Sequence, residues 1–254
     1  PNARTLDTPE EEIGEMMRMV IAHEVGHALG LPHNMKASAA YPTDSLRSAE
    51  FTQKYGLTPS IMDYARVNYV AQPEDKGVRY IRMMGPYDLY AINWGYRYLP
   101  DADTPDDEKE KLDQWILEKA GDPVYEFGGG YGGFDPQAQR ESLGKDQVKA
   151  SEYGLANMKK VVPNLIEWTT KDGYAYDELE EVYGELISLW RGYLYHVVTN
   201  VGGVYETRKT SDQEGTIYTP VPDDIQKNAV QFLNENAFTT PDWLLNKDIL
   251  DRIE

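Results

Sequence analysis

The sequence predicts a mainly α chain with little β structure, and three observations carry that prediction. Apolar residues recur at helical spacing over several long stretches, paired cap and proline signals mark several helix starts, and residues 204–208 and 216–219 suggest one hairpin. At 254 residues with 41% hydrophobic content the chain buries an ordinary core, as one large domain or two small ones. The 43 acidic against 25 basic side chains give a net charge of -18, which repels a phosphate backbone and excludes nucleic acid as a partner. Cysteine is absent, so any zinc must be held by His, Asp or Glu. No run of 18 apolar residues exists, which predicts no membrane span. The opening at Pro1 lacks the pattern of a signal peptide, and the chain reads as a portion of a larger precursor.

Taken in order, Thr8, Pro9 and Glu11 form a helix start, and the helix is expected from Pro9. Ile13, Met16, Met17, Val20, Ile21, Val25, Ala28 and Leu29 place apolar groups on nearly every side of it, which suits a helix enclosed by protein. Gly30 and Pro32 end it. Residues 34–60 have little periodicity and read as an irregular loop crossing the surface, and 60–70 as a tight turn followed by a short helix or an extended stretch. Pro86 to Tyr98 reads as an aromatic-rich helix, and Thr104, Pro105 and Asp107 open another that ends near Gly121.

The glycines from 128 to 133, around Tyr131, require a loop; without the Lys and Ser/Thr of a phosphate loop, they could still border a substrate cleft. Acidic residues 101–110 match no calcium-loop spacing. Val148, Leu155, Met158, Val162 and Leu165 predict a helix that Pro163 kinks or ends. Leu179, Val182, Leu186, Leu189, Tyr193 and Val197, with Asp177 as cap, predict a second that packs against it. His196 lies on that stripe and reads as a hydrogen-bonded core histidine. One hairpin near 204–219 and two helices, near 223–235 and 241–252, close the chain, the last opened by Thr240 and Pro241.

The chemistry is concentrated in HEVGHALGLPH, residues 23–33, which holds three of the four histidines. Four residues advance an α-helix by about 400°, so His23 and His27 point the same way and reach one ion at ~2.0–2.1 Å. The third ligand comes from beyond the helix, because Gly30 permits the turn that brings His33 back. Glu24, about 100° round from His23, is expected to lie buried beside the two ligands, off the metal, as the base for a water whose pKa zinc lowers from 15.7 to about 7. Chance recurrence of this spacing is on the order of 10⁻⁵ at ordinary residue usage. The residues therefore point to zinc, Zn2+, with His23, His27 and His33 as ligands.

The stretch matches HExxHxxGxxH and resembles the metzincin clan of zinc metallopeptidases. Met62, in Ser60-Ile61-Met62-Asp63-Tyr64, resembles the Met-turn that lies beneath the zinc in that clan. Tyr64 stands where astacin-like and serralysin-like members keep a tyrosine, which implies a fifth ligand or an oxyanion stabiliser. The resemblance covers residues 9–70 and extends over GPYDLYAINWGY at 85–96, which is similar to large bacterial Met-zincin proteins. It implies peptide-bond hydrolysis on a peptide or protein substrate, as a metalloendopeptidase in an extracellular or periplasmic setting. Asn34 departs from the Glu, Asp, Ser or Pro of better-known families and leaves the subfamily open. Those families carry a β-sheet ahead of the active-site helix, where this chain has about eight residues. The upstream sheet is thus expected to be missing from this chain, an upstream part of the precursor to complete the cleft, and the chain alone to bind zinc but cleave poorly. Residues 1–100 are read as the zinc-site region of a metzincin-like catalytic domain and 101–254 as a helical C-terminal region packed on it. A rival reading is an inactive homologue that keeps the metal and serves as a protein- or carbohydrate-binding module.

Overall fold

Three glutamates, Glu10 to Glu12, follow Pro9 and complement the positive end of the first helix, α1, which spans Glu10–Ala28. The structure, a computed structural model, describes residues 9–130 and 133–253. Thr8, expected as the cap of α1, and Tyr131, at the centre of the glycine loop, lie outside the described residues. Gly30, at φ 84°, closes the helix. Its N–H donates to the His27 carbonyl at 2.9 Å and that of Leu31 to the Gly26 carbonyl at 3.0 Å, the doubly bonded left-handed cap that glycine allows.

Two expectations for the first third of the chain are overturned. Helix α1 is not enclosed: among its residues only His23 and Gly26 are buried, and Met17, Ile21, Val20, Val25, Ile13 and Leu29 lie exposed. Apolar periodicity measures what a helix could bury, not what is present to cover it. Residues 34–60 are not a surface loop either. Two 3-10 turns, Ala37–Ala40 and Thr43–Arg47, and helix α2, Ala49–Tyr55, run through this stretch, with Asn34, Leu46 and Leu57 fully buried. Short helices with no repeated turn leave no periodic trace. With Tyr41, Ala65, Val70, Leu143 and Ala150, Leu46 and Leu57 form one of two apolar cores.

Helix α3, Pro86–Tyr96, and helix α4, Pro105–Leu117, follow the sequence reading. At the start of α4, Asp107 accepts from the Thr104 backbone N–H and hydroxyl, both at 2.8 Å. Helix α5, Gln147–Val161, stops where Pro163 interrupts the ladder, passes through a 3-10 turn at Val162–Asn164, and resumes as α6, Leu165–Thr169.

Helix α7, Asp177–Val198, packs against α5, and also against α6 and α8, Asp223–Asn236. Asp177 is its first helical residue rather than its cap, and Tyr176 holds the cap position without a side-chain bond. The second core lies between these helices, where Leu155, Leu165, Leu179, Val197 and Phe232 are buried; Tyr69 packs against both cores. Strands β1, Val204–Glu206, and β2, Tyr218–Pro220, form the antiparallel hairpin with Tyr205 opposite Thr219. The last helix is shorter than expected: α9 covers only Lys247–Leu250, because the Asn246 side chain accepts from the Asp248 and Ile249 N–H groups and sets a new start there. No helix among the described residues is long and apolar enough to cross a membrane.

Candidate metal centre

Helical spacing brings His23 and His27 to one side of α1, with ring centroids 4.8 Å apart and planes at 90°. The Gly30 turn carries the chain back so that the His33 ring lies 4.5 Å from that of His27 and 5.2 Å from that of His23. One ring nitrogen from each of the three falls within 4.8 Å of the others.

Backbone carbonyls fix which nitrogens face inward. His23 Nδ1 lies 2.8 Å from the Ile61 carbonyl and His27 Nδ1 2.9 Å from the Leu31 carbonyl. A carbonyl only accepts, so both Nδ1 atoms carry protons and both Nε2 atoms present lone pairs. The residues present fit a bound cation. His23 Nε2 is buried with no partner, and His27 Nε2 and His33 Nε2 stand 2.9 Å apart, where facing lone pairs repel unless a proton or a metal lies between them. Two nitrogens at that separation both reach one zinc at about 2.0–2.1 Å, and the third lies within 4.8 Å of them. Burial lowers the pKa of His23, assisted by Arg82 and His27 against the Ile61 hydrogen bond. Burial likewise lowers that of His33, with the charges of His27, His23 and Arg140 acting the same way. Both rings are therefore held neutral, the state a ligand needs.

Glu24 is exposed, contrary to the expected burial, because it points to the side of α1 that no described residue covers. Its charge acts on both His23 and His33, and among the described residues it has no ion-pair partner. Met62 is fully buried beneath α1, where a Cβ on residue 26 would meet its Sδ at 2.3 Å; only glycine allows that approach. The Met62 carbonyl accepts from the Asn34 N–H at 3.1 Å. Tyr64 is half-buried, its ring 4.1 Å from that of His33 and 5.4 Å from that of His23. His196 is apart from this cluster: its Nε2 bonds the Arg140 carbonyl at 2.9 Å in the core.

Several supporting residues escaped the sequence reading. Asp88, buried at the third position of α3, accepts from Ser60 Oγ at 2.6 Å and from the Ile61 and Gly85 N–H groups at 2.8 Å, and so holds the turn whose carbonyl orients His23. Its pattern, a proline two residues earlier and a carboxylate at the third helical position, is a readable helix start; its second partner is not. Asn34 bonds the Glu126 carbonyl at 2.9 Å and the Gly128 N–H at 3.0 Å, joining the residue after His33 to the glycine loop. Lys36 is buried between Glu126 and Asp135, 3.3 Å from each. Asp63, next to Met62 in the chain, is fully buried. Burial pushes its carboxyl up to about 8 against the opposing Arg82 charge and the Ser38 N–H.

What separates this centre from a chance cluster of histidines is that its base and its ligand helix are one packed unit, joined through Gly26, Met62 and the Ile61 carbonyl. The pattern HExxHxxGxxH followed by a methionine, here the buried Met62, is that of metzincin-type zinc metallopeptidases. The Met-zincin family profile matches residues 5–254, and the chain belongs to that family. No curated protein and no solved structure matches it.

Proposed function

We propose that the chain hydrolyses peptide bonds, with His23, His27 and His33 holding zinc and Glu24 serving as the base. The observation that carries this reading is the set of convergent imidazole nitrogens, one of them buried and unpartnered, beside a free and exposed carboxylate. When bound, zinc polarises the scissile carbonyl and lowers the pKa of water towards 7. Glu24 takes the proton of the attacking water and delivers it to the leaving amine. His23 and His27 keep their Nδ1 protons on backbone carbonyls throughout, which holds their rings in place. Tyr64, its ring 4.1 Å from that of His33, serves as a fifth ligand or donates its hydroxyl to the oxygen that gains charge. Met62 takes no part in proton transfer and fixes the base of the site.

The substrate in this reading is a peptide or protein, cut internally, in an extracellular or periplasmic setting. The exposed apolar side of α1 supports the view that an upstream part of the precursor completes the cleft and that the isolated chain cleaves poorly. The same reading takes residues 1–100 as the zinc-site region and 101–254 as the helical region packed on it. Bonds from Asn34 to residues 126 and 128 and from the Gly144 N–H to the Ser38 carbonyl support the packing.

The test is peptide hydrolysis by the full-length parent, with and without a chelator, and by Glu24→Ala. Expected are chelator sensitivity and a fall of roughly 10²–10⁴-fold in Glu24→Ala with zinc content retained. Unchanged hydrolysis in that variant refutes the enzymatic reading. Zinc binding with no hydrolysis by the parent would favour the binding-module alternative.

A further inference from the structure

Beside the histidines stands a cation that the reaction itself does not use. The Arg140 guanidinium lies 4.9 Å above the ring of Tyr64, which in turn lies 4.1 Å from the ring of His33, and its charge reaches His33. The side chain is exposed, and among the described residues it makes no ion pair and donates no hydrogen bond. The nearby Arg66, by contrast, is paired to Glu141 at 2.7 Å.

The backbone beneath Arg140 is held from three sides. Its carbonyl accepts from His196 Nε2 at 2.9 Å, the Glu141 N–H donates to the Tyr64 carbonyl at 3.0 Å, and Gln139 Nε2 donates to the His196 carbonyl at 3.1 Å. Glu141 adopts φ 64°, the only non-glycine among the described residues in the left-handed region. Such strain persists only where surrounding bonds enforce it, and here they fix the backbone that carries Arg140 over the Tyr64 ring.

We infer that Arg140 selects the substrate by binding a carboxylate close to the scissile bond, from an acidic side chain or from the peptide's C-terminus. The exposed guanidinium over the Tyr64 ring, with no carboxylate among the described residues bound to it, has its N–H groups free for a bidentate carboxylate. This specificity rests on the peptidase reading above, but binding alone tests it.

The experiment uses the zinc-loaded full-length parent carrying Glu24→Gln, so that bound peptide is not consumed. Labelled peptides identical except for Glu, Gln or Lys at one scanned position, each with a free or amidated C-terminus, are titrated by fluorescence anisotropy. The expected result is that one anionic arm, the internal Glu or the free C-terminus, binds about tenfold more tightly than its neutral counterpart. The arm that responds identifies the source of the carboxylate. Adding Arg140→Ala should reduce that ratio to within about twofold, Arg140→Lys should keep part of it, and Arg140→Glu should turn the preference towards Lys. Zinc content and circular dichroism check that each variant is folded. Equal binding of anionic and neutral peptides, no binding of any peptide, or a ratio that survives Arg140→Ala overturns the inference. Loss of hydrolysis in the parent would instead sink the peptidase reading and leave this ratio measurable.

Discussion

Replacing Gly26 by alanine sets two opposing effects against each other on the active-site helix. In a helix interior alanine is favoured over glycine by about 0.8–1 kcal/mol. At position 26, however, the new Cβ would lie 2.3 Å from Met62 Sδ and 3.3 Å from its Cε, far inside the ~3.5–4.0 Å of a comfortable contact. Met62 is fully buried, so it has nowhere to retreat, and overpacking of this kind costs about 1–3 kcal/mol. The clash outweighs the propensity, for a net loss of about 1 kcal/mol, or roughly 2–4 °C in Tm for a chain of this size. Gly14 on the same helix is the control, because a Cβ there meets nothing within 4 Å and Gly14→Ala should gain up to ~1 kcal/mol. Thermal unfolding of the zinc-free variants reads both. Zinc affinity should also fall in Gly26→Ala alone, since displacing Met62 shifts the carbonyls that hold His23 and Asn34. In a Met62→Ala background the loss should vanish, giving a coupling of about 1 kcal/mol or more. A Gly26→Ala chain that is stabilised as much as Gly14→Ala, with unchanged zinc affinity, would refute the packing argument.

Three further outcomes follow from the surroundings of the site. Burial keeps His23 and His33 neutral to lower pH than the ordinary 6.5, so protons should displace zinc only below about pH 6. The zinc-free fold should lose stability as pH falls through 6.5, where the unfolded chain takes up protons first. Equilibrium dialysis and urea unfolding measure the two, and full zinc occupancy at pH 4.5 would contradict histidine ligation. Asp63 has the opposite sign: its carboxyl is raised from 3.8 to about 8, so the stability it contributes is complete below 3.8 and lost as pH rises through 8. Asp63→Asn, which imitates the protonated acid, should therefore be more stable than the parent chain at pH 8 and gain nothing at pH 4; equal effects at both would exclude the burial argument. Asp88→Ala strands three donors, at about 1–3 kcal/mol for each that stays buried and unpaired, and should weaken zinc binding roughly 10–100-fold through Ile61 and His23. Unaltered zinc affinity in a folded Asp88→Ala chain would show that the turn is held by other means.

The legibility of this chain follows the range of the interactions. Helices α3, α4, α5, α7 and α8 announce themselves because caps, prolines and apolar repeats act within a few residues, and the hairpin does so because β-favouring residues flank a polar turn. The stretch from Asn34 to Tyr55 was unreadable for the converse reason. Its burial is arranged by partners far along the chain, as when Asn68 Nδ2 donates to the Leu46 carbonyl at 2.7 Å and Lys145 N–H to the Tyr41 carbonyl at 2.9 Å. The exposure of α1 was hidden too, because Ile13, Met17 and Ile21 look the same in sequence whether a neighbour covers them or not.

At the metal centre the same division falls between what coordinates and what orients. The histidine spacing is local, since a helix and one glycine turn suffice to gather three imidazoles. Orientation is not: His23 depends on a carbonyl 38 residues away, which sits in a turn held by Asp88 a further 27 residues on. Asn34 ties the same turn, through the Met62 carbonyl, to the Glu126–Gly128 backbone. Any metal bound by the three histidines would therefore draw on segments scattered over more than 100 residues, and its binding free energy would act on their packing as well as on its ligands. A peptide with residues 23–33 alone could supply the nitrogens, but without Ile61 nothing would choose which nitrogen of His23 keeps its proton. For that reason the motif names the chemistry, while the affinity belongs to the fold.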